Sequence, residues 1–413
     1  VVTVLAFIGA ATLHAPPGEA AGAPPAAADE WPRVWGPQGD GRSAASGALG
    51  GAPTLKAREL WRKPLGSGYS GVTVARGRAY TATSDGSKDV VVAFDASSGR
   101  ELWRTPLGDT YRGHDGSKDG PMSTPSVDGA RVYVVGPHGL LVALDAGTGT
   151  VVWKHDLKTE YGAAVPVYGF ATSPVLTGGL AIVQAGGEKQ NHMVAFDAAT
   201  GKLAWSAQHG DGATYVTPTL ATVHGVPQLV TVSKDKVLGI KPADGSLLWS
   251  LARPNENESS RPPLVLPDGR VLVHSWQEAA LVQVTSEAGV FKAAEVWRSP
   301  LLKASYSPTV FHDGYLYGLN GAYLVCLDPA AGEVKWRQKV YGGNVILVDG
   351  HLVLLAESAG DLRVVEASPA GYKEKLKTAV FNPGASSITG PSWSGNRVFL
   401  RNVEELVALE IGG

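Results

Sequence analysis

Residues 131–153 read Arg131-Val-Tyr-Val-Val-Gly-Pro-His-Gly-Leu-Leu-Val-Ala-Leu-Asp-Ala-Gly-Thr-Gly-Thr-Val-Val-Trp153. Three short strands are expected in them. Arg131 to Val135 is the first, with Tyr133 among β-branched neighbours, and Gly136-Pro137-His138-Gly139 is turn chemistry. Leu140 to Leu144 is an apolar run too short for a typical helix and flanked by turn signals, so it reads as the second strand. Asp145 can accept hydrogen bonds from the backbone ahead of it, and Gly149 can take a positive φ without a Cβ clash. Thr150 to Trp153 is the last strand and ends on a large aromatic. Such a unit cannot bury both its faces alone, so it must recur.

It does recur. Val91-Val-Ala-Phe-Asp-Ala-Ser-Ser-Gly-Arg-Glu-Leu-Trp103, Met193-Val-Ala-Phe-Asp-Ala-Ala-Thr-Gly-Lys-Leu-Ala-Trp205 and Leu324-Val-Cys-Leu-Asp-Pro-Ala-Ala-Gly-Glu-Val-Lys-Trp336 are close copies of its second half. Val237-Leu-Gly-Ile-Lys-Pro-Ala-Asp-Gly-Ser-Leu-Leu-Trp249 is a drifted one, and Trp297 closes a degenerate copy with Ala280 to Thr285 as its middle strand. Counting from Trp61, successive tryptophans of this set lie 39 to 52 residues apart. A period in the forties with four strands per unit marks a β-propeller.

Leu60-Trp61-Arg-Lys-Pro-Leu65 is a last strand without its blade. Arg397–Arg401 and Glu405–Leu409 are first and middle strands without a tryptophan strand after them. Each fragment supplies what the other lacks, so Trp61 is expected to close the C-terminal blade and remove the exposed sheet edges. Six units end at Trp103, Trp153, Trp205, Trp249, Trp297 and Trp336. A seventh runs from about Val345 to Phe381, with Leu376 near the tryptophan place, and an eighth joins 390–411 to Leu60–Leu65. The expected fold is therefore all-β, an eight-bladed propeller of four-stranded blades closed by an N-terminal strand. Seven blades is the rival if 254–300 is not a true blade.

Three segments are expected. Residues 1–30 are apolar to Leu13, then rich in Ala, Pro and Gly; this looks like the h-region and cleavage region of a secretory leader, although no basic n-region precedes it. No cysteine stands there, so no lipid anchor is expected. Residues 31–55 form a Trp/Gly/Pro-rich arm, expected to dock Trp31 and Trp35 on the outside of the propeller, an aromatic ligand platform being the alternative, and 56–413 are the propeller. The net charge is −2, charged residues make up 18% of the chain, and no basic stripe interleaved with aromatics appears. Nucleic acid is therefore a poor partner. Cys326 is the single cysteine, so no intrachain disulfide is expected; a ring closed by strand pairing does not need one. The apolar leader is too short to span a bilayer, and a monomer with no transmembrane span in the mature chain is expected.

The Val-Ala-Leu-Asp-Ala-x-Thr-Gly-x-x-x-Trp pattern resembles the repeat of the pyrroloquinoline-quinone-like (PQQ-like) propeller family. The Trp31-Pro-Arg-Val-Trp35-Gly-Pro start resembles that of secreted planctomycete-type PQQ-repeat proteins. The family holds quinoprotein alcohol dehydrogenases and non-catalytic propellers, including the scaffold of the outer-membrane β-barrel assembly machine. The resemblance implies that Trp61, Trp103, Trp153, Trp205, Trp249, Trp297 and Trp336 pack between adjacent blades. It also implies what an enzyme of the family would carry, and those markers are absent from this sequence: there is no pair of adjacent cysteines and no Cys-x-x-Cys-His haem site, and the chain is shorter than those enzymes. No catalytic residue, metal or cofactor is expected, PQQ with calcium being the alternative that would accompany a quinoprotein oxidoreductase.

In propellers the first strand of each blade lines the channel, so the residues entering those strands face its mouth. The recurring Ser/Thr-Pro there is read as structural, since proline presets φ where no ladder donor is wanted. Tyr69, Tyr215, Arg261, Tyr306 and Asn344 vary between copies, and variation on a repeated scaffold is where function is grafted. Tyrosine and arginine at a mouth suit a protein partner or small ligand; a solvated funnel and a sugar- or polymer-binding propeller remain open alternatives. Asp85-Gly-Ser-Lys-Asp89 and Asp115-Gly-Ser-Lys-Asp119 resemble the front of a calcium loop, but Ser126 stands where the bidentate Glu belongs, so turns are expected. His114, His138, His155, His192 and His209 have no metal-ligand spacing and read as loop residues. The expected function is a periplasmic or secreted, non-catalytic binding or scaffolding module.

Overall fold

The computed structural model describes residues 30–186, 193–210, 214–252, 260–303, 305–384 and 387–413. Residues 1–29 of the leader and His192 lie outside them. The described residues form eight four-stranded antiparallel sheets and a single short helix, Leu157–Tyr161, capped by Asp156. Blade 1 takes Thr73–Ala75, Arg78–Ser84, Lys88–Asp95 and Glu101–Asp109; blades 2 to 7 follow in chain order, ending with Glu374–Ala379. Blade 8 is Ser392–Ser394, Arg397–Arg401 and Glu405–Gly412, completed by Lys56–Pro64 from the front of the chain. The described part of the degenerate segment is a true blade, built of Leu264–Val265, Arg270–His274, Ala279–Glu287 and Val290–Ser299, which rules out seven.

Register explains why the repeat needs its particular residues. Each outer-strand tryptophan faces a third-strand residue just before a bulge, a small one in six blades: Trp103 faces Ala93, Trp153 Ala143, Trp205 Ala195, Trp249 Gly239, Trp336 Cys326 and Trp61 Ala408, while in the degenerate blade Trp297 faces Leu281. A small residue there leaves room for the indole; a Cβ on Gly239 would lie 2.1 Å from Trp249 Nε1. Leu376 occupies the same register opposite Val364, so a smaller side chain faces a larger one at constant combined bulk.

The indole then reaches the next blade. Trp61, Trp103, Trp153, Trp205, Trp297 and Trp336 donate Nε1–H to the carbonyls of Ala96, Ala146, Ala198, Pro242, Pro329 and Ser368, at 2.7–3.1 Å. Each acceptor lies in the turn between the third and fourth strands of the following blade. In that turn Asp95, Asp145 and Asp197 accept backbone and hydroxyl hydrogens. The turn glycine has positive φ and lies flat on the indole, so a Cβ at Gly149 would sit 2.5 Å from Trp103. The tryptophans are therefore staples between blades. Trp249 is the exception: it bonds Gln228 Oε1 in its own blade, because blade 5 has a plain Glu287-Ala-Gly-Val290 hairpin instead of that turn.

Candidate functional site

The entry segments of the blades surround the channel, and their hydroxyls are spent on closing it. At the Ser/Thr before the proline, the oxygen accepts an N–H from the preceding blade: Gly71 N–H to Thr124, Thr124 N–H to Ser173, Ser173 N–H to Thr217. At the next position, after the proline or after Val72 in blade 1, the hydroxyl donates to a carbonyl of the following blade: Thr73 to Pro125, Ser126 to Pro174, Thr219 to Pro263 and Ser392 to Val72. The Ser/Thr-Pro recurrence is thus a double belt of inter-blade hydrogen bonds. The oxygens that look most available in the sequence are already accepting hydrogen bonds between blades.

Inside the belt lies a cavity of about 630 Å³, within the size range of small-ligand pockets. At the mouth it is lined by Tyr69, Tyr168, Tyr215, Trp276 and Tyr306, with His114 and Asp115 from the connection between blades 1 and 2. Tyr168 and Tyr215 meet edge-on at 5.7 Å between centroids, and Trp276 and Tyr306 at 6.3 Å, the perpendicular geometry that ring quadrupoles favour. The phenols are tied down: Lys118 N–H donates to Tyr69 Oη at 2.8 Å, Tyr168 N–H to Tyr215 Oη at 3.3 Å, and Tyr168 Oη to Asp115 at 3.3 Å. Trp276 and Tyr306 stay 45% and 43% exposed. Burial holds the Tyr306 phenol above its ordinary range, with the Glu357 carboxylate adding to the effect.

The other end is closed by the arm, and here the expectation of an outside docking site is corrected. The arm docks on its own chain, across the channel. Trp31 exchanges backbone hydrogen bonds with Val74, Val127 N–H donates to Pro32, and Arg33 reaches the Leu176 carbonyl. Further on, Gly41 and Ser43 pair with Leu347, and Leu49 N–H bonds Asp349. Trp31 is 1% exposed. Trp35 lines the cavity against Gly390, where any Cβ would fall 2.5 Å from its ring. Inner-strand backbone near the channel has donors and acceptors to offer, and this is what draws the arm inward.

Of the five expected mouth residues, Tyr69, Tyr215 and Tyr306 line the cavity and Arg261 and Asn344 do not. Arg261 is 1% exposed and donates to Leu302, Ser305, Thr309 and Leu319, joining blade 5 to blade 6. Burial pushes its pKa down to about 9, so it stays protonated at neutral pH. Arg401 does the same between blades 8 and 1, donating to Gly68, Thr81 and Ala82. Asn344 is buried at the start of the blade 7 inner strand. Tyr168 and Trp276 were not expected at the mouth, and Trp31 and Trp35, expected on the outside, line the cavity instead. Tyr168 had a signal in its position just before the Phe170–Pro174 entry segment, and Trp276 had one in being a tryptophan off the outer-strand register.

The two calcium-like stretches are turns: Asp85 accepts Ser87 and Lys88 N–H, and His114 and Ser117 bond each other across the second. His155 and His209 contact the Gly201 and Gly245 carbonyls of the neighbouring blades' turns. Among the described residues no group of three or more His, Cys, Asp or Glu side chains is placed to hold a metal. PQQ is a tricarboxylate, and no Lys or Arg is among the described residues lining the cavity, while Asp115 is. A buried anion needs pairing, so this donor set does not fit the quinone.

The family model described as "Outer membrane protein assembly factor BamB" matches residues 87–293 and 292–411. BamB of Yersinia pestis is 26% identical over 246 residues, a match covering 56% of this chain and 60% of that protein. The match thus spans less than two thirds of the relative. Among solved structures, the quinohemoprotein alcohol dehydrogenase of Comamonas testosteroni superposes with a TM-score of 0.65 at 14% identity, covering 93% of this chain and 81% of that one. BamB of Moraxella catarrhalis superposes at 0.60, also at 14% identity, covering 86% of this chain and 100% of that one. Structural likeness at such identities reports the fold and does not choose between enzyme and scaffold. The family match covers most of the chain, its residues fall on the blades, and the chain belongs to the PQQ-like propeller family of the outer membrane protein assembly factor BamB.

Proposed function

We propose that this chain is an exported, non-catalytic propeller that binds a protein partner or small ligand at its open mouth, as a scaffold in outer-membrane protein assembly. Residues 1–30 act as the export leader, and the arm of 31–55 with the propeller of 56–413 forms the mature body, monomeric and periplasmic or secreted. The relatives' name supports the assembly role. The observation that carries the reading is the contrast within the site: entry-segment hydroxyls and buried arginines bond from blade to blade, while Trp276 and Tyr306 stand exposed at the mouth. Aromatic side chains left exposed around a concavity mark a binding surface.

The test is photo-crosslinking in cells exporting the chain, with the reactive residue at Tyr306 or at Val290, which is 61% exposed on an outer hairpin. The reading predicts a discrete adduct from Tyr306 and none from Val290. Adducts from Val290 alone would move the binding surface to the outer rim and overturn it.

A further inference from the structure

We propose that the mouth cavity is a site for an organic cation, an ammonium group held against aromatic faces. This rests on the reading of the mouth as the binding surface and names the chemistry of what enters it. Ring surface is what the cavity offers: Tyr69, Tyr168, Tyr215, Trp276 and Tyr306 converge there, two pairs of them roughly perpendicular. The contacts of the Tyr69, Tyr168 and Tyr215 phenols with the protein hold those rings in place before any ligand arrives.

The remaining chemistry separates ligand classes. A sugar needs many directional hydrogen-bond partners, and the Thr124, Ser173 and Thr217 oxygens already accept backbone N–H groups, leaving each little beyond its O–H to offer. Burying unpaired sugar hydroxyls would cost affinity. An anion finds no Lys or Arg among the described lining residues and meets Asp115 instead. An ammonium meets the negative faces of the rings, the Asp115 carboxylate beside Tyr168, and Glu357 near enough to Tyr306 to affect its titration. A quaternary ammonium needs no hydrogen-bond partner. The cavity of about 630 Å³ accommodates such a head group together with the chain that carries it.

The experiment is calorimetric titration of the purified mature chain with tetramethylammonium chloride, its neutral isostere tert-butanol, and glucose, at constant ionic strength. Tetramethylammonium is expected to saturate, with no saturable response to the other two. Tyr306→Leu and Trp276→Ala should each weaken it about five-fold. Tyr306→Phe should retain it because the ring remains. Both positions are exposed, so an unchanged melting temperature will confirm folding. Equal binding of tert-butanol, or tetramethylammonium binding indifferent to Tyr306→Leu, would overturn the proposal. No ammonium binding alongside adducts from Tyr306 would overturn the cation class alone; no ammonium binding with adducts only from Val290 would remove the mouth reading as well.

Discussion

The two ends of the channel are built from the same inner strands and treated in opposite ways. At one end the arm pairs its backbone with Val74, Val127 and Leu347, buries Trp31 and presses Trp35 onto Gly390. At the other, five aromatic side chains surround an opening and two of them stay exposed. The aspartates differ too. Asp349, at the arm end, is partly buried, yet hydrogen bonds from Leu49 and its neighbours hold its pKa below the usual range. Asp89 anchors Tyr111 N–H at the head of the mouth connection, and burial pushes its pKa up to about 6. One end is made to stay shut and the other is left open, which is how a repeated scaffold acquires a single functional face.

The strongest way to break this contrast is at the closed end. Trp31→Ala removes a fully buried indole and should cost about 3–5 kcal/mol, measured by denaturant unfolding. A loss below about 1 kcal/mol would mean that the arm is an accessory rather than part of the core. Asp89 sharpens the open end through pH. Its folded pKa is raised, so between the unfolded value near 4 and about 6 the folded state binds more protons. Its contribution to stability therefore falls as pH rises through that window, by at most about 1.4 kcal/mol per unit. Asp89→Asn should flatten that slope in melts recorded from pH 4 to 7, and an unchanged slope would assign it elsewhere. Next in size is Gly390→Ala: the new Cβ meets the Trp35 ring, and overpacking of this kind costs about 1–3 kcal/mol. The smallest effect is expected at the mouth, where Tyr306→Ala should change stability by less than about 0.5 kcal/mol while removing the Tyr306 contribution to binding.

How much of this was legible follows from what repeats. The blades could be read because most copies need a small residue facing their indole and several need a glycine under the neighbour's: Ala143 faces Trp153, and Gly149 lies on Trp103; the copies that depart, with Leu281 facing Trp297 and Leu376 in place of an indole, were the harder ones to count. The closure by Trp61 was legible for the same reason. The site was harder because variation between copies has two sources. Tyr69, Tyr215 and Tyr306 vary at the mouth; Arg261 varies because it joins one particular pair of blades, and an alignment of repeats within one chain cannot separate those causes. The indoles of the arm were visible, but the backbone groups that receive Trp31 belong to the inner strand around Val74, and nothing in the arm's own sequence names them.

The most direct test of the account is a calorimetric titration of the mature chain with PQQ, with and without calcium. A cavity with aromatic walls and no Lys or Arg among its described lining residues predicts no saturable heat in either arm. Saturable, calcium-dependent binding at micromolar concentration or tighter would contradict it. The mouth would then have to be reinterpreted as the cofactor pocket of an oxidoreductase.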